Sequence, residues 1–179
     1  DKIGLLDSEG MYRGQSGVDE MVSHFADVNI ITGSTPIIER KLPVNSTIII
    51  ASDFLLRSGE HTEADRQEII DVIEDLGDMR VNGKVCMVLH PDEINFSFQG
   101  GKIFNGLQGE LPRAFDDASS IVDEYKRIMN KHIQWVRDLV EDNGFEFILH
   151  TTDKPPSDLV LNIFDEEADA PEPSQEYKL

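Results

Sequence analysis

The sequence predicts an α/β protein whose open, mostly parallel sheet carries helices on both faces. Short apolar runs alternate along the chain with amphipathic helical patterns, which is the order of elements in such folds. The apolar runs also end abruptly in polar residues, as buried parallel strands do at the edge where α/β sheets bind ligands. The clearest example is residues 45–55, NSTIIIASDFL, in which a β-branched run stops at Ser52 and Asp53.

The elements follow from periodicity and from turn residues. Strands are predicted at residues 2–6, 11–13, 48–51, 84–89 and 145–149. Helices are predicted where apolar residues recur at spacings of three and four, at residues 18–28, 37–41, 62–76, 116–142 and 157–164. Alternation of apolar and polar residues around Gly100 and Gly101 predicts a small β-hairpin insertion built from residues 94–98 and 102–104. Gly144 is expected to end the long helix. The order is Rossmann-like in the broad sense.

Length and composition predict one domain and a tail. A chain of 179 residues that is 39% hydrophobic can bury one core, which we assign to residues 1–164. Residues 165–179 are acidic, contain proline and are expected to be disordered. The chain opens on Asp1 and runs almost at once into a strand, so we expect that an upstream segment, including a first strand of the sheet, is missing.

The expected environment is the cytoplasm. No apolar run approaches the roughly 18 residues of a membrane-spanning helix, and no secretory signal is present. The single cysteine, Cys86, lies within the apolar run 85–89, so we interpret it as a small buried hydrophobic residue in a reducing compartment.

The charge balance restricts the partners. With 35 acidic and 16 basic residues the net charge is -19, which opposes binding to nucleic acids or anionic lipids. Basic proteins or metal cations are the expected partners. An alternative function is that the acidic surface imitates nucleic acid for a basic partner, and a third interpretation is that the acid only keeps the surface solvated.

Signatures of catalysis are missing from the sequence, and we predict that the protein is not an enzyme. Glycine-rich phosphate loops, His-Glu-x-x-His and Gly-x-Ser-x-Gly do not occur. His90 and His150 each end a predicted strand, but nothing in the sequence supports an acid–base pair there. A divergent phosphorelay receiver is an alternative, since Asp53 ends a strand and Lys154-Pro155 follows the last one. About a hundred residues separate these features, which is too many for a domain of about 100 to 150 residues.

Three landmarks in sequence carry a family resemblance. They are Gly33-Ser34-Thr35-Pro36 in a loop, the strand end Ser52-Asp53-Phe54, and the strand end His90-Pro91-Asp92-Glu93 followed by the glycine hairpin. In order and spacing they resemble a von Willebrand factor A-like (vWA) domain, in particular the bacterial family called domain of unknown function fifty-eight, which is associated with MoxR-type AAA+ ATPases. The likeness runs over residues 2–164.

The resemblance implies a metal-ion-dependent adhesion site that binds Mg²⁺. By motif position Thr35 and Asp53 would be ligands with Ser52 beside them, and Gly33, Ser34 and Asp92 would contact a protein partner. The first loop of such a site, Asp-x-Ser-x-Ser, does not occur in the sequence. Either an upstream segment supplies the central strand and the remaining ligands, or the protein has lost the site. The expected function is that of a non-enzymatic adaptor that works with a AAA+ ATPase.

Overall fold

The computed structural model describes most of the chain from residue 46 onward and short pieces before it. The described residues are 3–4, 11–12, 16–17, 19–20, 22–23, 42, 46–55, 63–105 and 111–164. The chain divides into two compact units, which are described separately. The first unit comprises Asp1–Ser46, Leu55–Val81 and Gly106–Leu111, and the second, here called the sheet unit, comprises Thr47–Phe54, Asn82–Asn105 and Pro112–Leu179.

The first unit contains a short strand pair and one long helix. Strands β1 (Ile3–Gly4) and β2 (Met11–Tyr12) pair antiparallel, within the two strands predicted there. Helix α1 (Glu63–Asp78) confirms the prediction for residues 62–76, and its residues Ile73 and Leu76 are almost fully buried. Of the predicted helix 18–28, residues 19, 20, 22 and 23 are helical. The predicted helix 37–41 lies outside the described residues.

Three parallel strands form the centre of the sheet unit. They are β3 (Thr47–Ser52), β4 (Asn82–Leu89) and β7 (Glu146–Thr151), in the order β3-β4-β7. The α/β class and the parallel sheet predicted from the sequence are confirmed. Because β4 is the middle strand, most of its carboxyl-terminal half is buried, as the continuous apolar run predicted. The buried residues there are Val85, Cys86, Met87 and Leu89.

Cys86 is one of these buried residues, which confirms its interpretation as a small hydrophobic side chain. Burial is the main cause that raises the pKa of its thiol, and the negative charge of Glu146 raises it further, while Lys84 opposes the shift. A thiol with a raised pKa carries little thiolate and is a poor nucleophile. The residue therefore contributes packing to the sheet unit.

Helices flank the sheet within this unit. They are α2 (Pro91–Asn95), a 3₁₀ turn (Ala118–Ile121), α3 (Val122–Asp142) and α4 (Pro156–Phe164). Helix α3 packs against β7 and ends, as predicted, at Gly144, whose φ of 79° is left-handed. Among the described helices, none combines the length and the apolar character needed to cross a lipid bilayer.

The buried stripe of α3 differs in one respect from the stripe that the apolar periodicity of the sequence predicts, which includes Ile128 and omits Ile133. Its buried residues are Met129, His132, Ile133, Val136 and Val140. Ile128, predicted to face inward, is 49% exposed, whereas Ile133 is buried. Residues 129, 133, 136 and 140 follow one another at spacings of four and three, so Ile128 lies beside this stripe and not within it.

Lys84 links three elements of the sheet unit. Its Nζ lies 2.7 Å from a carboxylate oxygen of Glu146, the residue opposite it on β7. The same ammonium donates to the backbone carbonyl of Asn162 at 3.3 Å. Asn162 lies in the last turn of α4. The carboxyl terminus of a helix carries a partial negative charge, so the ammonium of Lys84 is favourable there.

The hairpin predicted around Gly100 and Gly101 is wrong, because residues 102–104 pair with a later strand that the sequence did not predict. Strands β5 (Lys102–Phe104) and β6 (Arg113–Phe115) pair antiparallel. The strand predicted at residues 94–98 is wrong, because residues 91–95 form helix α2. Pro91 suits the first helical position, and His90 and Glu93 form a capping box, so local signals for a helix outweigh the short apolar–polar alternation.

The long helix also begins later than predicted. Asp117 caps the 3₁₀ turn that precedes α3: its Oδ1 accepts from the backbone N–H groups of Ser119, at 3.0 Å, and Gly100, at 3.2 Å, and its Oδ2 accepts from the Ser119 hydroxyl at 2.7 Å. The bonds from Ser119 and Gly100 stabilise the ionised carboxyl and lower the pKa of Asp117, although some desolvation opposes this.

We predict that Asp117→Ala lowers the melting temperature at neutral pH, because three donors lose their acceptor. Since the folded pKa lies below the ordinary value of 3.8, this stabilisation is present above that value. It is lost as the pH falls through the folded pKa, so the difference between the wild type and the variant should shrink in acid. Thermal melts followed by circular dichroism across this range measure it. Asp116→Ala, an equal change of charge at the next exposed residue, should have little effect, and equal losses in both variants would contradict the prediction.

Gly83 allows close packing between β3, β4 and the start of β7. A methyl group added at Gly83 would lie 2.8 Å from Cδ1 of the Phe145 ring and 3.1 Å from the carbonyl oxygen of Ile48. Phe145 is buried and Ile48 is the residue opposite Gly83 on β3, so neither neighbour moves easily.

We predict that Gly83→Ala destabilises the protein by about 1 to 3 kcal/mol, the usual cost of overpacking a core. Urea unfolding gives the free energy. Gly101→Ala is the control, because a methyl group there would lie 3.5 Å from its nearest neighbour, an ordinary contact. A Gly83→Ala variant as stable as the wild type would show that the Phe145 ring can shift without cost.

Candidate functional site

The carboxyl ends of the parallel strands lie at one edge of the sheet. In the pairing register Ser52 is opposite Met87, and Leu89 is opposite Thr151. The residues that follow these strands therefore gather at the edge where open α/β sheets bind ligands. We call this set, Ser52, Asp53, His90, Asp92 and Asp153, the carboxyl edge.

Ser52 and Asp53 end strand β3 in a tight turn. The Ser52 hydroxyl accepts a hydrogen bond from the backbone N–H of Phe54 at 3.0 Å. Phe54 is buried with a left-handed φ of 53°, an unfavourable conformation for a residue that is not glycine. The Ser52 hydroxyl thus stabilises this turn, while the Asp53 side chain is exposed to solvent.

His90 caps helix α2, and the cap fixes the position of its ring. Its Nδ1 accepts from the backbone N–H of Asp92 at 3.1 Å, and the Glu93 carboxylate accepts from the backbone N–H of His90. A carboxylate oxygen of Asp92 lies 3.6 Å from the same Nδ1.

A pocket of about 350 Å³ adjoins the carboxyl edge at α2. Its lining combines acidic and aromatic side chains from α2, the segment that follows it, β5 and α3. The lining residues are His90, Asp92, Glu93, Phe96, Phe98, Phe104 and Tyr125. We call it the aromatic pocket.

Phe96 is the centre of the aromatic pocket. It is only 5% exposed, and its ring centroid lies 4.5 Å from that of Tyr125, 5.2 Å from that of Phe98 and 5.5 Å from that of Phe104. The Phe98 and Phe104 rings meet edge to face at 5.5 Å. These separations are in the favourable range for aromatic pairs. Phe96 thus forms a buried floor with three half-buried rings around it.

The carboxylates of Asp92 and Glu93 lie beside these rings. Burial is the main cause that raises the pKa of the Tyr125 hydroxyl, and the negative charge of Glu93 adds to it. Near the same edge, a hydrogen bond from Thr151 is the main cause that lowers the pKa of Asp153, and His90 contributes weakly. Asp92 and Glu93 make the lining of the pocket acidic.

The structure describes half of the residues that the sequence predicted for the site. Ser52 is the last residue of β3, and Asp53 and Asp92 follow the ends of the neighbouring strands β3 and β4, so all three lie at the carboxyl edge. Gly33, Ser34 and Thr35 lie outside the described residues. Of the two strand-end histidines, His90 is exposed and His150 is buried, which gives no support to an acid–base pair.

Of the residues proposed to bind Mg²⁺, the structure describes Ser52 and Asp53. Ser52 and Asp53 would supply two oxygen ligands, and the Ser52 hydroxyl already accepts from Phe54. Within the described part of the chain, no three His, Cys, Asp or Glu side chains are placed to hold a metal ion together. The Mg²⁺ prediction depends on Thr35 and stays a prediction.

The aromatic pocket was not predicted from the sequence. A signal was present, because His90-Pro91-Asp92-Glu93 has the spacing of a capping box and Pro at the first helical position. With helix α2 predicted from this signal, Phe96 would have been placed at the end of a helix and not in a strand. Phe98 and Phe104 would then follow that helix. The participation of Tyr125 depends on contact between α2 and α3, which no local pattern indicates.

Comparisons with protein family models, with curated proteins and with solved structures gave no match for this chain. The fold defines the class of protein: it is a mixed α/β protein whose three-stranded parallel sheet is flanked by helices, an arrangement compatible with a Rossmann-like fold.

We predict that Phe96→Ala costs about 3 to 5 kcal/mol of stability, the usual loss for a buried phenylalanine. Three ring contacts disappear and the floor of the aromatic pocket becomes a cavity. Urea unfolding followed by circular dichroism measures the change. Ile103→Ala on β5, where the side chain is 68% exposed, is the control and should change stability by less than about 0.5 kcal/mol. Similar values for both variants would mean that the aromatic cluster does not stabilise the sheet unit.

Proposed function

We propose that this protein is a non-enzymatic interaction module of the vWA type, and that its carboxyl edge contacts a protein partner. The observation that supports the proposal is the parallel register, which places Asp53 and Asp92 after the ends of neighbouring strands at one edge of the sheet. Both side chains reach solvent. Exposed carboxylates on a rigid sheet suit recognition, because strands hold them in place before a partner binds.

The partner class follows from the family resemblance. That resemblance suggests a AAA+ ATPase of the MoxR type, and the net charge of -19 favours a partner with a basic contact surface. The resemblance also suggests that Mg²⁺ takes part, with Thr35, Asp53 and Ser52 around it. Hydroxyl and carboxylate oxygens are the ligands that this cation prefers.

We predict that Asp53→Ala weakens partner binding at least about tenfold, as expected when one partner of a charged contact is removed, and leaves folding intact. The purified protein is used to capture its partner from cells of its native source. The captured ATPase is then purified, and its dissociation constant is measured by calorimetry with the wild type and the variant. Binding with Mg²⁺ and with a chelator tests the metal.

Asp138→Ala is the matched control, since it removes one exposed carboxylate from α3, away from the strand ends. Equal affinity of Asp53→Ala and the wild type would refute the role of the carboxyl edge. Competition by heparin that is equal for all three proteins would favour the nucleic acid mimic. A large loss of stability in Asp53→Ala without a change in binding would reassign Asp53 to the structure.

A further inference from the structure

The aromatic pocket has the chemistry of a site for an organic cation. Its floor and walls are the rings of Phe96, Phe98, Phe104 and Tyr125, and Asp92 and Glu93 line it from α2. Ring faces carry negative potential, and aromatic cages with a nearby carboxylate attract ammonium and guanidinium groups. Such a cation can interact with the faces of the rings and form an ion pair with a carboxylate at the same time.

The polar groups of the pocket leave one carboxylate available for a ligand. Glu93 is used inside the protein, because it accepts from the backbone N–H of His90. The backbone N–H of Asp92 donates to Nδ1 of the His90 ring. The Asp92 side chain is 42% exposed, and its carboxylate lies 3.6 Å from the same nitrogen. An incoming cation can therefore pair with Asp92 without breaking the cap of α2.

We infer that the aromatic pocket receives a lysine or arginine side chain of the protein partner, which lies against the half-buried rings that line it and has its charge at Asp92. This inference rests on the proposed function and names the part of the partner that is recognised. The occupant is chosen by charge, since the protein carries -19 and the pocket mouth is acidic. An anionic ligand would meet two carboxylates of its own sign.

The size of the pocket agrees with one side chain. At about 350 Å³ it is near the lower limit of the roughly 300 to 1,000 Å³ that ligand pockets span. The methylene stem of lysine or arginine can lie along the rings while its head reaches the carboxylate, which is how these side chains cover apolar surface. The protein already contains such a pair, because the guanidinium of Arg137 lies 4.6 Å from the centre of the Phe147 ring.

The first experiment tests the pocket with two small probes of nearly equal shape. Backbone amide NMR spectra are recorded while N-acetyl-arginine methylamide or its uncharged analogue N-acetyl-citrulline methylamide is added. The arginine probe should shift the amide signals of Asp92, Phe96 and Tyr125 in a saturable way, and the citrulline probe should bind at least about threefold more weakly, as expected for a cation–π contact. Equal shifts from both probes, or none from either, would overturn the inference.

Two variants then test the groups that hold the cation. Asp92→Asn removes the charge, and Phe98→Leu removes a half-buried ring while keeping an apolar side chain. Each should weaken the arginine probe by about threefold or more, the range expected for cation–π and exposed ion-pair contacts. Asp138→Asn should leave the affinity unchanged, and a cooperative thermal melt of each variant confirms that it is folded. Unchanged affinity in both pocket variants would refute the site.

The partner complex separates this inference from the proposed function. If Asp53→Ala abolishes partner binding and Phe98→Leu does not, the carboxyl edge binds the partner and the inference fails. If Phe98→Leu weakens partner binding by the same factor as it weakens the arginine probe, the inference is supported. If Phe98→Leu weakens partner binding and Asp53→Ala does not, the pocket is supported and the role proposed for Asp53 fails.

Discussion

Parallel pairing of β4 with both of its neighbours is the interaction on which the other features of the sheet unit depend. It fixes the direction of all three strands, so every residue that follows a strand lies at one edge of the sheet. A shift of one residue in the register would turn the apolar residues of β4 toward the opposite face. Two features support the pairing at the beginning of these strands. Gly83 has no side chain and allows close packing, and Lys84 forms an ion pair with Glu146.

At the other end of β4 the chain continues directly into helix α2. Its cap is made by the histidine that follows the strand, so the direction of the helix is set within four residues of the sheet. The helix ends at Phe96, whose left-handed φ of 47° directs the chain toward Phe98 and then into strand β5. A strained residue of this kind costs of order 1 to 3 kcal/mol and is kept only where surrounding contacts compensate. Three aromatic contacts at Phe96 supply that compensation.

Much of the fold could be predicted from the sequence, because its strongest signals are local. The apolar runs of β3, β4 and β7 and the periodicity of α3 identified these elements within a few residues. The strand predicted at residues 94–98 was wrong because five residues of apolar–polar alternation carry less information than a capping box and a proline. The burial of Ile133 was not predicted, because the predicted apolar stripe of α3 included Ile128 in its place. Only the packing of the helix shows which of these two residues faces inward.

The candidate site was less accessible to sequence reasoning. Ser52, Asp53 and Asp92 could be named because they end apolar runs, and the parallel register then brings the strand ends together. The aromatic pocket could not be named, since Phe96 and Tyr125 are 29 positions apart in the sequence and meet only when α2 packs on α3. Contacts of this kind have no periodic signature, so they become visible only in three dimensions.

Helix α4 is the part of the sheet unit that should open most readily. None of its residues is buried, and Val160, Leu161 and Phe164 are largely exposed. The carboxylate of Glu146 orients the ammonium of Lys84, which in turn holds the final turn of this helix. Amide protons of α4 should therefore exchange with water through local opening, while those of β4 exchange only when the whole unit unfolds.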